Sequence, residues 1–367
     1  MKIKTLIAVV ALLSALNAQL PSCLGQGTLT PPGAPAPTMK TLDQVEPRIP
    51  IGLNATPGDA TSVFKITNSG SYYLTGNVYG QSNQCGIAIA ADNVTVDLCG
   101  YSLVGSVTNS LDGIRPSGNH SSIMIRNGHI TGWGGNAIAS YVPGFLVSSY
   151  LSRCILQDLV ANNNGGGISG GASSSIFRCV SGNNKGVGIA LSNTSGVCKD
   201  CLSDSNTGDG IDCGEGAMVT HCSVQGNTGI GIYCFNSQTT IIGCTVRVNS
   251  GGGISATGIL IRDCLIEQNT GYGVQISYGS TIEGCDIGYN VGPGIVGINT
   301  GGASGKSLIS GNNIHDNTVG LSLANNLGNS IYANTLRNTT NLNVGSGNSA
   351  PVTSDPTTAG PWYNIAF

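Results

Sequence analysis

Four carboxylates fall within twelve residues: Asp204, Asp209, Asp212 and Glu215. Paired carboxylates can act as general acid and base on a glycosidic bond. Clustered ones can bind Ca2+, which takes six or more oxygen ligands. A second grouping is sulfur-rich. Cys198-Lys199-Asp200-Cys201 is followed by His221-Cys222, the residue types of a zinc site. A third is aromatic. Trp133, Tyr141, Phe145 and Tyr150 lie close together in a chain that is only 5 % aromatic. Rings clustered near a surface can line a ligand site and stack on the flat faces of sugars.

The elements that must carry these groups follow from an internal repeat. Gly-Ile or a close variant recurs at 86–87, 113–114, 167–168, 188–189, 210–211, 231–232, 253–254, 273–274, 294–295 and 320–321, with Ala137-Ile138 in the gap. From Ile168 to Ile295 the spacings are 21, 22, 21, 22, 20 and 21 residues. Ten residues before these pairs run Cys179, Cys201, Cys222, Cys244, Cys264 and Cys285, extended backwards by Cys154. Five residues after each Cys run Asn184, Asn206, Asn227, Asn249, Asn269 and Asn290, with Asn317 following Asn312. The segments between are short, alternating and rich in Ile and Val, as strands are. No stretch has a helical apolar period. Parallel strands at this period without crossover helices stack coil on coil as a solenoid. Equivalent residues then form ladders about 4.8 Å apart. Thiols are small and apolar enough for an inward ladder. Asn suits a tight turn because it tolerates the left-handed conformation, and each amide can bond the next. Such stacked thiols are expected to be reduced, whereas Cys85 and Cys99 share the first coil and could close a bridge.

Composition narrows the class further. Glycine is 56 of 367 residues, charged residues only 9 %, and the net charge −3. An ordinary domain carries about 25 % charged residues. No basic run could neutralise phosphates, which excludes a nucleic-acid binder. Residues 1–18 read as a signal peptide, 19–38 as a Pro-rich linker and 39–80 as an N-terminal cap with its opening strand. Residues 81–340 read as the solenoid and 341–367 as a capping tail. No apolar run is long enough to span a membrane. Cys23 offers a lipoprotein attachment site as an alternative.

With these rows in view, the chain resembles the right-handed parallel β-helices of the pectin-lyase-like superfamily. Within it, the chain is similar to exported bacterial proteins with right-handed β-helix repeats. The likeness covers roughly residues 60–340 and includes Val94-Thr95-Val96-Asp97-Leu98-Cys99-Gly100 as a first full coil. It implies an all-β, single-stranded right-handed parallel β-helix of about eleven coils, counted on the Gly-Ile row. The handedness comes from the resemblance. Asn206-Thr207-Gly208-Asp209-Gly210 is similar to the N-T-D-G run of polygalacturonases, with one glycine inserted. The paired Asp, G-H-G and R-I-K of that family are missing, and Ile130 follows Gly128-His129. The D-P-H-D run of alginate epimerases is absent too.

These departures favour a repeat turn with Asp at a variable position. The four carboxylates are expected on different faces of a coil, where they need not converge. Cys201 and Cys222 are accounted for by the ladder, so no metal is assigned; calcium is the only cofactor left open. The candidate ligand-binding residues are Trp133, Tyr141, Phe145 and Tyr150, as an aromatic platform, with Asp209 and Asp212. The insertions around residues 139–151 and 296–308 place chain-length variation on one side of the rod, where solenoids often bind partners. The reading is a secreted, cell-surface or periplasmic rod that binds polysaccharide or envelope glycan without catalysis. The alternatives are a polysaccharide lyase, hydrolase or epimerase, and an adhesin or tail-like assembly component.

Overall fold

A computed structural model describes residues 46–367, apart from 107–110, 140–150, 236–237, 278, 298–305, 324–327, 346–347, 356 and 358–359. The chain divides into residues 1–47 and 48–367, and the second unit holds the repeat. The signal and linker segments, Cys23, Tyr141, Phe145 and Tyr150 lie outside the described residues, as do most of the two long insertions. No helix among the described residues is long and apolar enough to cross a membrane.

One coil shows how the sequence builds the rest. Met218–Thr220, Ser223–Gln225 and Ile230–Cys234 are its three strands. Val219, Val224 and Ile232 point inward and are fully buried. Val219 stacks between Cys198 and Ile241, Val224 between Ser203 and Val246, and Ile232 between Ile211 and Ile254, all in parallel register. The first and second strands of successive coils form one continuous 25-stranded sheet, and the third strands form a 14-stranded sheet. About twelve right-handed turns result. In this coil the third strand is the longest, and it contains the Gly231-Ile232 pair. Gly210 and Gly231 sit where an added Cβ would lie 2.6 and 2.7 Å from the Gly231 and Gly253 carbonyl oxygens of the next coil, so only glycine permits that packing.

The corners follow one design, which corrects an expectation about asparagine. The left-handed residue is the one before each ladder residue, not the ladder residue itself. Before the Asn ladder these are Asn183, Ser205, Gly226, Val248, Gln268, Tyr289 and Asp316, with φ from 52° to 64°. Before the Cys ladder they are Arg153, Arg178, Asp200, His221, Gly243, Asp263 and Gly284. The left-handed residue turns the chain through the corner and leaves the next side chain pointing in. A β-branched Val248 in this region costs about 1–2 kcal/mol, which the ladder at its side must offset.

The amides do so by bonding in a continuous chain. The Oδ1 of Asn206 accepts both the backbone N–H and the Nδ2 of Asn184, at 3.0 and 2.9 Å. The pattern repeats through Asn227, Asn249, Asn269, Asn290, Asn317 and Asn338. Each Nδ2 also reaches a backbone carbonyl, as Asn249 does to Val224 at 3.2 Å. The thiol ladder works more weakly. Cys154, Cys179, Cys201, Cys222, Cys244, Cys264 and Cys285 each donate to the carbonyl two residues earlier, at 3.2–3.6 Å. Burial pushes the Cys154 thiol up to about 11, which keeps it protonated at neutral pH. All described cysteines are free, Cys85 and Cys99 included, so the bridge between those two does not form. Beyond Cys285 the thiol corner changes to amides: Asn312 Oδ1 accepts the Cys285 N–H, and Asn334 and Asn364 continue the row.

Candidate functional site on the third-strand sheet

The outward row of the third-strand sheet is set by register. Residues one position after the buried Ile row face away from the core. Ala190, Asp212, Tyr233, Ser255 and Gln275 succeed one another there, one per coil. Asp209 joins this row from the neighbouring turn. Strict alternation would place it on the same side as Ile211, but it precedes the strand, within the bend at Gly208–Gly210. The bend carries its carboxylate outward, where Oδ1 accepts the Ile230 N–H at 2.6 Å. Gly229 makes room for it: a Cβ there would lie 2.2 Å from that oxygen. Gly252 leaves equivalent space for the ring of Tyr272 in the coil after it.

Asp209 and Asp212 therefore converge, contrary to the expectation that they face apart. Burial pushes the Asp212 carboxyl up to about 7, and the adjacent Asp209 carboxylate adds to the shift. One oxygen of Asp212 is buried without a hydrogen-bond partner. Burial and the neighbouring carboxyl thus favour the protonated form of Asp212 well above the usual carboxylate range. Burial also raises Tyr272, helped by the charge of Asp209 and opposed by the hydroxyl of Ser255. Two carboxyls, two phenols and a hydroxyl thus line one face over four coils. Phe235 extends the aromatic part, its ring 6.1 Å from that of Tyr233. The cation in the same outward row nearest this group, Arg115, is four coils away, roughly 19 Å at ladder spacing.

Trp133 does not belong to this surface. It is 1 % exposed, and its indole N–H donates to the Leu103 carbonyl at 3.1 Å. Its ring fills the N-terminal coils where Gly80 and Gly86 leave space; a Cβ at either would lie 2.7 or 3.0 Å from it. Burial of a large apolar ring outweighs display, so the platform loses its first member. Of the other clustered acids, Asp204 lies on the second strand and Glu215 is exposed at the far end of the third. Asp209 and Asp212 alone supply too few oxygens for calcium. Tyr233, Ser255 and Tyr272 went unread in the sequence because the outward rows carry no repeated residue type.

Comparison with known proteins agrees with the architecture. Residues 202–305 match the family described as right handed beta helix region. No curated protein matches the sequence. Among solved structures, the A-module of the Azotobacter vinelandii mannuronan C-5 epimerase AlgE4 has a TM-score of 0.56 at 15 % identity, covering 73 % of this chain and 84 % of that one. Pectate lyase Pel9A has a TM-score of 0.41 at 14 % identity, over 80 % and 73 %. The Dettilon tailspike protein has a TM-score of 0.41 at 13 % identity, over 82 % and 61 %. The chain is a right-handed parallel β-helix of the pectin-lyase-like fold.

Proposed function

We propose that the protein binds polysaccharide along the outer face of its third-strand sheet, at Asp209, Asp212, Tyr233, Ser255 and Tyr272, as a secreted or cell-surface rod. The observation that carries this reading is the convergence of these groups on one open face. Hydroxyl-rich ligands need acceptors, donors and flat apolar rings side by side. Asp209 accepts, the protonated form of Asp212 donates, and the phenols and Ser255 do both. The epimerase module with the same coil architecture is named for a polysaccharide, which supports the ligand class. The absence of a cation beside the pair in its row fits a neutral glycan better than a polyuronate.

A catalytic reading is favoured by one observation, a buried carboxyl raised to about 7 beside a second carboxyl. Against it, the two carboxyls lie side by side, close enough to share a proton. Hydrolases hold theirs about 5–9.5 Å apart across the scissile bond. The test is a screen of the full chain against neutral and acidic polysaccharides, with and without calcium, scoring binding and products together. Binding without products that survives Asp212→Asn but weakens at least tenfold in Tyr272→Ala is the expected result. Shortened or unsaturated products that vanish in Asp212→Asn would establish the enzyme instead. No binding to any polysaccharide would refute both.

A further inference from the structure

Three sulfurs meet inside the coil stack. The Sγ atoms of Cys198, Cys201 and Cys222 all lie within 4.8 Å of one another, and Cys198 and Cys222 approach to 3.7 Å. Cys201 and Cys222 are neighbouring rungs of the corner ladder, but Cys198 is not in that ladder. It occupies the inward row of the first strand, between Ile176 and Val219. That row continues as Ile241, Ile261, Ile282, Ile309 and Ile331. The thiol ladder passes this row at every coil from Cys154 to Cys285, but only at Cys198 does a thiol replace the row's aliphatic side chain and face two ladder sulfurs. All three residues are at most 3 % exposed. Metal–sulfur bonds of about 2.3 Å place bound sulfurs about 3.8–4.0 Å apart, so this spacing needs little adjustment. The backbone N–H of Cys179 already points at the Cys201 sulfur, at 3.4 Å, and would partly offset a buried negative charge.

We propose that Cys198, Cys201 and Cys222 form a three-sulfur site for a soft monovalent cation, with Cu(I) as its best match. Thiolates select soft ions. Zn2+ favours four ligands, and the remaining candidate of the sequence run, His221, is exposed and outside the trio. As thiols, Cys201 and Cys222 donate to the carbonyls of Lys199 and Thr220. On binding, each S–H gives its proton to solvent as a sulfur–copper bond forms, and no electron is transferred. The corner supplies the route in, since Asp200 and His221, one residue from the ladder sulfurs, are exposed.

The test titrates the reduced full chain with Cu(I) under a competing copper(I) chelator, without oxygen. One tight equivalent is expected, with three sulfur neighbours by X-ray absorption. Cys198→Val restores the residue type of its row, so it should keep the circular dichroism and melting temperature while affinity falls at least a hundredfold. Cys285→Val, a ladder thiol outside the trio, should keep the tight equivalent. Undiminished uptake in Cys198→Val, two sulfur neighbours in place of three, or tighter binding of Zn2+ than of Cu(I) would each overturn the proposal. So would a disulfide joining Cys198 to Cys201 or Cys222 in freshly isolated protein.

Discussion

Replacing Asn249 by alanine tests whether the amide ladder holds the stack together or merely decorates it. The Asn249 Oδ1 accepts two donors from the coil before: the Asn227 backbone N–H and its Nδ2, both at 3.0 Å. Asn227 is 0 % exposed, so water cannot replace either bond. A buried donor left unpaired costs about 1–3 kcal/mol. Two such donors set the expected loss at about 2–6 kcal/mol. The Asn249 N–H keeps its own bond to Asn269, and the Val224 carbonyl loses one donor, which adds little. Ordinary domains have only about 5–15 kcal/mol of stability, so the effect is large. Urea unfolding of the full chain, followed by far-ultraviolet circular dichroism, measures it through the midpoint and slope. Asn313→Ala is the matched control. That side chain is exposed and bonds Asp286, and its loss should stay within about 0.5 kcal/mol. If Asn249→Ala falls in the same range, the ladder contributes specificity at most, and the account of the corners given above is wrong.

Three other outcomes are expected. Asp212 binds its proton more tightly folded, at about 7, than its ordinary 3.8. Its contribution is therefore complete below about pH 4 and is lost as pH rises through 7, by about 2–4 kcal/mol; Asp212→Asn should flatten that slope in urea midpoints measured from pH 4 to 8. Trp133→Ala should cost about 3–5 kcal/mol by emptying a packed site and leave glycan binding by the folded protein unchanged; calorimetry reads the first and the polysaccharide screen the second. Val248→Gly should stabilise by up to about 1 kcal/mol, because relief of the left-handed strain exceeds the added backbone freedom; a lowered urea midpoint would show that the side chain of Val248 matters more than its φ.

What could be read in advance divides along the inside and outside of the coil. Inward rows are repetitive because each faces the same constraint at every turn. Ile211, Ile232 and Ile254 have equivalent neighbours, and the Cys and Asn corners recur at fixed distances from them. Periodicity therefore reports the core and the fold. Outward rows face solvent, which imposes no repeat, so Tyr233, Ser255 and Tyr272 carry no signature. The pairing of Asp209 with Asp212 was hidden for a second reason. It depends on a bend before the strand that reverses the expected side of Asp209, and on Gly229 a coil away. Trp133 misled in the opposite sense. A rare aromatic near an insertion suggested display, yet the glycines at 80 and 86, far off in sequence, had already hollowed out its place.

The amide row has a further consequence at its last rung. Parallel coils carry no inherent limit on their number, and an uncovered terminal coil is a template for the next molecule. Here the final amide comes from outside the repeat. Asn364, on a strand running beside Thr335–Arg337, accepts the N–H and Nδ2 of Asn334 at 3.1 and 2.8 Å. Its own Nδ2 is spent on the Ile331 and Pro351 carbonyls. The tail thus closes the amide row on backbone carbonyls in place of another amide, and it adds one more parallel strand beside Thr335–Arg337, where the edge of the second-strand stack would otherwise be bare.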